Sequence, residues 1–101
     1  GYGLSEQLIF DPKTGKPLNN NLLDYKIPTC MDIPDMEIRF VETHEDSAPF
    51  GAKGLAEPPL IPQAAAVRNA ILHATGVGMH KLPMNPQNLV HAFGEAGLIA
   101  Q

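Results

Sequence analysis

The sequence contains few of the residues that reinforce a small core. Its 101 residues include one cysteine and no tryptophan. With Cys30 alone, neither an internal disulfide nor a thiolate metal cluster is possible, and a reducing, cytoplasmic location is favoured. No apolar run approaches the roughly 20 residues of a membrane-spanning helix. The first ten residues also lack the basic region and cleavage site of a secretory signal. We therefore expect no association with membranes.

An excess of basic charge is missing as well. Seven lysines and arginines stand against eleven aspartates and glutamates, and the net charge is -4. This balance gives no electrostatic footprint for nucleic acid. Nine glycines and ten prolines occur without a triplet period, which excludes collagen, and the 44% hydrophobic content argues against full disorder. These features predict one loop-rich domain over residues 1–101 with a thin core.

Two helices are predicted in the second half of the chain. The first covers the alanine-rich residues 62–75, with Pro62 in its first turn and Gly76 as the residue that ends it. A second, shorter helix is expected to begin after Asn85 as its N-cap, with Pro86 at its first position. The first helix should have an apolar face made of four residues: Val67, Ala70, Ile71 and Ala74.

The first half of the chain predicts extended structure and turns. Residues 36–43 alternate between apolar and charged side chains, which is typical of a β-strand. Residues 11–17 predict a turn between two possible hairpin arms. Residues 4–10 fit the end of a helix or a strand equally well. Residues 44–59, rich in glycine and proline, predict a long loop.

Metal and nucleophile patterns are weak. Four scattered histidines form no ligand pair, so they are interpreted as exposed or partly packed side chains. Cys30 is interpreted as a small buried hydrophobic residue rather than a nucleophile. The acidic residues near the end of the predicted strand lack calcium-loop spacing, and solvent exposure is the simpler interpretation.

Glu57 has an unusual local context. It follows a glycine-containing stretch and precedes Pro58 and Pro59, and a residue before proline is biased towards extended backbone. The pattern therefore predicts a carboxylate held on a stiff segment at the entrance to a helix, as a general base requires. From spacing alone, an ordinary surface loop with Glu57 in solvent is the simpler hypothesis.

A family resemblance changes that balance. Residues 53–77, KGLAEPPLIPQAAAVRNAILHATGV, resemble the C-terminal motif of the molybdenum hydroxylases, the xanthine dehydrogenase and aldehyde oxidase family. Three further segments resemble the same family in the same order, and the resemblance covers nearly the whole chain. They are GYGLSEQLIFD, LLDYKIPTCMDIPDMEIRFVE and LPMNPQNLV.

The resemblance implies a C-terminal piece of a molybdopterin-binding domain with an α+β fold, its strands and helices in two layers. It implies that Glu57 is the general base in the hydroxylation of an electron-poor carbon of an N-heterocycle or aldehyde. The backbone of Gly54, Leu55 and Ala56 is expected near the molybdenum–molybdopterin cofactor, and the chain itself supplies no metal ligand. The family usually has glycine at the position of Ala56, where a positive φ would strain alanine.

The same resemblance implies partners. The remaining molybdopterin-binding segments would complete the site, and [2Fe–2S] and FAD groups are expected on partner domains or subunits. We therefore expect an oxidoreductase that is inactive as this chain alone. The alternative is a non-catalytic assembly module of the same fold.

Overall fold

A computed structural model of the chain describes residues 1–100. It contains a short 3₁₀ helix, Pro49–Gly51, and three α-helices: α1 (Glu57–Leu60), α2 (Gln63–Thr75) and α3 (Pro86–Glu95). The chain divides into two compact units. One unit is Pro28–Pro62, and the other joins Gly1–Ile27 to the chain from Gln63 onward.

Helix α2 confirms the strongest helix prediction, beginning one residue later than expected. Gly76 has φ +76°, and its amide donates to the Leu72 carbonyl at 2.8 Å. A residue without Cβ adopts this left-handed conformation without strain, which explains why the helix ends there. The Thr75 hydroxyl also donates to the Ile71 carbonyl at 2.7 Å, satisfying another carbonyl of the last turn.

The buried face of α2 is only partly the predicted one. Val67 and Ile71 are half-buried as expected, whereas Ala70 and Ala74 are exposed. The buried stripe passes instead through Arg68, whose Nε donates to the Met79 carbonyl at 3.2 Å. Apolar periodicity did not reveal this orientation, because a charged side chain lies on the inner face and holds the following loop.

The core of this unit is small and lies beside α3. Its buried apolar side chains among the described residues are Met79, Pro83 and Met84, with Met79 exposed by 7% and Met84 by 1%. The Met84 amide donates to the Gly3 carbonyl at 2.7 Å, which ties the start of the chain to this core. The Asn85 side chain accepts from the Asn88 amide at 2.9 Å, confirming the predicted N-cap of α3.

The predicted turn at residues 11–17 is also confirmed. Phe10 and Pro17 form an isolated antiparallel bridge, and the Leu18 amide donates to the Ile9 carbonyl at 2.8 Å. The Asp11 carboxylate accepts from the Lys13 amide at 2.8 Å and from the Thr14 hydroxyl at 2.9 Å, and these bonds hold its pKa below the usual value. Local side-chain hydrogen bonds therefore fix this turn without a core.

The strand predicted over residues 36–43 is not formed in this structure. Within residues 1–100, the backbone of this segment makes no hydrogen bond to another backbone group. A strand requires a neighbouring strand for its amides and carbonyls, and the alternating pattern cannot supply one. With helices and a single bridge in the described part of the chain, the two-layer α+β arrangement stays a prediction. None of the described helices is long and apolar enough to cross a bilayer.

Candidate functional site

Glu57 is the first residue of α1, and the expectation of an extended backbone there is wrong. The Ile61 amide donates to the Glu57 carbonyl at 3.0 Å, which closes a helical turn. The two prolines fit because the first turn of a helix has amides without intrahelical partners, so a missing N–H costs nothing there. The steric bias of the residue before proline is therefore overcome at this helix start.

Ala56 lies immediately before α1 in helical backbone, with φ -64° and ψ -53°. The concern that alanine would be strained in place of glycine does not arise, because this φ is negative and suits any L-residue. The methyl group of Ala56 therefore carries no backbone penalty in this conformation.

A tight turn precedes the segment that carries Glu57. Gly51 has φ +72°, and its amide donates to the Ala48 carbonyl at 3.0 Å. The His44 ring packs against this glycine so closely that an added Cβ would lie 2.1 Å from Nδ1. Phe50 also has a positive φ, 56°, with its side chain fully exposed. Left-handed backbone is uncommon for a bulky residue, so the turn is locally strained.

Residues 53–57 present their polar groups outward. All five residues of this segment are exposed: Lys53, Gly54, Leu55, Ala56 and Glu57. Among the described residues, Glu57 is in no ion pair, and the amides of 54–57 have no backbone partner. No atom lies within 4 Å of a Cβ built on Gly54. The segment can therefore accept a group from outside the chain, with one carboxylate and several amide donors available to it.

The remaining candidates do not assemble into a site. No group of three or more His, Cys, Asp or Glu side chains in residues 1–100 is arranged to hold a metal ion. Two histidines contact carboxylates at 3.4 Å, His44 with Asp46 and His91 with Glu95, and both pairs are exposed. Cys30 is exposed and unpaired, so its interpretation as a buried residue is wrong in this structure.

The acidic cluster after residue 41 has a local structural role. Glu45 accepts from the Ser47 hydroxyl at 2.7 Å and from the Ser47 amide at 3.2 Å, and these bonds lower its pKa. Such bonds stabilise the turn before the 3₁₀ helix, and they give the cluster no cation geometry.

Sequence reasoning missed α1 and the strained turn at Phe50. The pair Pro58 and Pro59 predicts a break, although proline in a first helical turn is an equally valid pattern. The left-handed backbone of Gly51 has a usable signal, since glycine after a short proline-initiated stretch often ends a turn. No sequence pattern of this kind predicts the left-handed backbone of Phe50, because bulky residues seldom adopt that conformation.

The chain is similar to curated molybdenum-binding subunits. It is 50% identical over 99 residues to the xanthine dehydrogenase molybdenum-binding subunit of Escherichia coli O157:H7, covering 98% of the chain and 13% of that protein. It is 34% identical over 91 residues to an aldehyde oxidoreductase molybdenum-binding subunit of Escherichia coli K12, covering 89% of the chain and 12% of that protein. No protein-family model matches the chain.

A third relative is named for a different activity. The nicotine 6-hydroxylase large subunit of Paenarthrobacter nicotinovorans is 39% identical over 95 residues, which cover 91% of the chain and 12% of that subunit. All three matches extend over most of the chain, and in each case it spans only about an eighth of the relative.

Proposed function

Because the chain belongs to the family of xanthine dehydrogenase and aldehyde oxidoreductase molybdenum-binding subunits, we propose that it is the part of a molybdenum hydroxylase that supplies the general base, Glu57. The reaction would hydroxylate an electron-poor carbon of an N-heterocycle or an aldehyde. The observation that carries the proposal is the exposed Glu57 carboxylate, which is free of ion pairs among the described residues and belongs to the residue that begins α1. The α+β fold and residues 1–101 as one domain segment belong to the same proposal.

The residues before Glu57 suit one side of a cofactor site. The exposed backbone of Gly54, Leu55 and Ala56 offers amide donors without backbone partners in the described chain, and Gly54 leaves open space where a side chain would stand. Backbone amides of this kind bind anions, so these would donate to the anionic groups of the molybdenum–molybdopterin cofactor. When bound, that cofactor supplies oxygen-transfer and two-electron redox chemistry. Residues 1–100 of this chain contribute no metal-ligand cluster, so any side chains that ligate the metal would lie elsewhere in the subunit.

Glu57 has one chemical task in this proposal. A carboxylate oxygen of Glu57 would accept the proton of the attacking hydroxyl group as the new carbon–oxygen bond forms. The carbon–hydrogen bond breaks in the same reaction, and its two electrons would pass into the redox chemistry that the bound cofactor supplies. The helical start at Ala56 and the turn at Gly51 limit the backbone freedom of the segment that holds this carboxylate. A base carried on ordered backbone gains rate by orientation, because less backbone motion must be lost on the way to the transition state.

Electron transfer is assigned to partners. We propose that [2Fe–2S] and FAD groups lie on other domains or subunits. We also propose that the chain is inactive alone, since it spans about an eighth of its relatives. The free thiol of Cys30 suits a reducing, cytoplasmic setting.

A non-catalytic assembly role is the second candidate. It is favoured by the many exposed apolar side chains of the described residues, among them Leu23, Met31 and Phe50.

The test is Glu57→Gln in the molybdenum subunit assembled with this chain. Glutamine has nearly the same shape but cannot accept the proton, so we expect kcat to fall about 100- to 10,000-fold with molybdenum content unchanged. Glu95→Gln is the matched control, because Glu95 is an exposed glutamate in a weak surface pair and should leave kcat nearly unchanged. Full turnover in Glu57→Gln would refute the catalytic role. Loss of molybdenum together with activity would favour the assembly role.

A further inference from the structure

A cavity of about 510 Å³ is lined by residues from two stretches near the start of the chain, 2–8 and 19–26. Its volume is typical of cavities that hold small molecules. All of its lining residues belong to the compact unit that contains Gly1–Ile27, whereas Glu57 belongs to the other unit. The cavity therefore shares no residue with the candidate catalytic segment, and what it binds does not depend on the role proposed for Glu57.

Hydrogen bonds of asparagine side chains order the wall of this cavity. The Asn19 side chain accepts from the Ile9 amide at 2.9 Å and donates to the Gln7 carbonyl at 2.6 Å, which joins the two stretches. The Asn21 side chain accepts from the Leu23 amide at 3.0 Å. A wall that is ordered before a ligand arrives favours binding, because less conformational freedom is lost in the complex.

Two tyrosine rings and two carboxylates line the same cavity. Tyr2 and Tyr25 are exposed by 38% and 48%, and the carboxylates belong to Glu6 and Asp24. The Tyr25 hydroxyl donates to Glu6 Oε1. This hydrogen bond and the negative charge of Glu6 raise the pKa of Tyr25, so the phenol keeps its proton and stays joined to the carboxylate. The face of an aromatic ring attracts cations, and nearby carboxylates add to that attraction.

The charge of the lining is negative. Glu6 and Asp24 carry two negative charges and Lys26 carries one positive charge, and no other charged side chain of residues 1–100 lines the cavity. Neither carboxylate is in an ion pair within this part of the chain. No group of three His, Cys, Asp or Glu side chains there is arranged for a metal ion. Aromatic rings combined with carboxylates instead suit a cation whose charge is carried on an ammonium group.

We propose that this cavity binds an organic ammonium ion of small-molecule size. The rings of Tyr2 and Tyr25 would contact the carbon groups around its nitrogen. The carboxylates of Glu6 and Asp24 would balance its charge. Lys26 has the same sign of charge as the ligand and therefore lowers the affinity. Neutral and anionic molecules of the same size lack this attraction and should bind less tightly.

Choline is the probe for this site, and its neutral analogue with carbon in place of nitrogen is the matched control. In the subunit that contains this chain, isothermal titration calorimetry should show saturable choline binding that is about tenfold tighter than binding of the analogue. Equal affinities, or no binding of choline, would refute the proposal. Displacement of choline by calcium ions would assign the carboxylates to a metal ion and overturn it as well.

Variants of the lining locate the bound choline. Glu6→Gln and Asp24→Asn each remove one negative charge and should weaken choline binding about tenfold. Asp24 makes no hydrogen bond or ion pair in the described chain, so Asp24→Asn tests the charge without disturbing a contact.

Tyr25→Leu removes a ring and should weaken binding by a similar factor, whereas Lys26→Gln should strengthen it. Glu42→Gln is the matched control, because Glu42 is exposed, lies outside the cavity lining and should change the affinity less than twofold. Unchanged affinity in both Glu6→Gln and Asp24→Asn would show that choline binds elsewhere and would refute the site.

Discussion

Replacing Gly51 by alanine should loosen the turn that precedes Glu57. Gly51 has φ +72°, a conformation that costs an L-residue about 1–2 kcal/mol. The new Cβ would also lie 2.1 Å from His44 Nδ1, so the ring must move. Because the His44 side chain is 68% exposed, it can turn into solvent and lose only its 3.4 Å contact with Asp46, worth less than about 1 kcal/mol.

The sum is a destabilisation of about 2 kcal/mol, or roughly a 30-fold increase in local opening. Hydrogen–deuterium exchange of the Ala52 amide measures that opening, because this amide donates to the Pro49 carbonyl at 3.1 Å across the turn. The measurement is made in the assembled subunit, so that folding of the isolated chain is not assumed.

Gly54→Ala is the matched control for this prediction. Gly54 has no atom within 4 Å of an added Cβ and is not among the glycines with positive φ, so exchange at Ala52 should stay the same. Gly51→Ala in a His44→Ala background separates backbone strain from the ring contact. Most of the cost should remain in that background, and complete rescue would show that the contact with the ring, and not φ, makes glycine necessary. Unchanged exchange in Gly51→Ala would refute the reasoning altogether.

Two further predictions concern the compact unit that joins Gly1–Ile27 to the chain from Gln63 onward. Asn85→Ala should destabilise the start of α3 by about 1 kcal/mol, because the side chain caps the Asn88 amide, and Asn85→Ser should restore most of it; faster amide exchange at Asn88 is the readout. The folded state lowers the pKa of the Asp11 carboxyl group. The hydrogen bonds of the carboxylate therefore stabilise the turn fully above the usual aspartate pKa, and this stabilisation is lost as the pH falls through the lowered pKa. Asp11→Asn should remove this acid dependence from the exchange of the Gly15 amide, and an unchanged pH profile would contradict the prediction.

Elements whose stability is local were predictable from sequence. Helix α2 has alanines inside and Gly76 at its end, and α3 has Asn85 and Pro86 at its start. Capping and propensity act within a few residues, so their outcome does not depend on distant contacts. The 11–17 turn was predictable for the same reason, since the Asp11 side chain bonds to its own neighbours.

Elements that depend on a partner were less predictable. The alternation at residues 36–43 predicts a strand, yet the described chain offers no second strand to pair with it. The inner face of α2 differs from the predicted one because Arg68 donates to the Met79 carbonyl, a contact between residues eleven positions apart in the sequence. Cys30 was expected inside and is exposed, because the described part of its compact unit buries little besides Gly51.

For the candidate site, the sequence by itself determined that Glu57 is an acid between a glycine-containing stretch and two prolines, and its motif indicated the family. Only the tertiary structure decided that Glu57 begins α1, that Ala56 is unstrained at φ -64°, and that the turn before them holds Gly51 against the His44 ring. The physical reason is that residue types limit the allowed backbone conformations, whereas hydrogen bonds and packing select one of them.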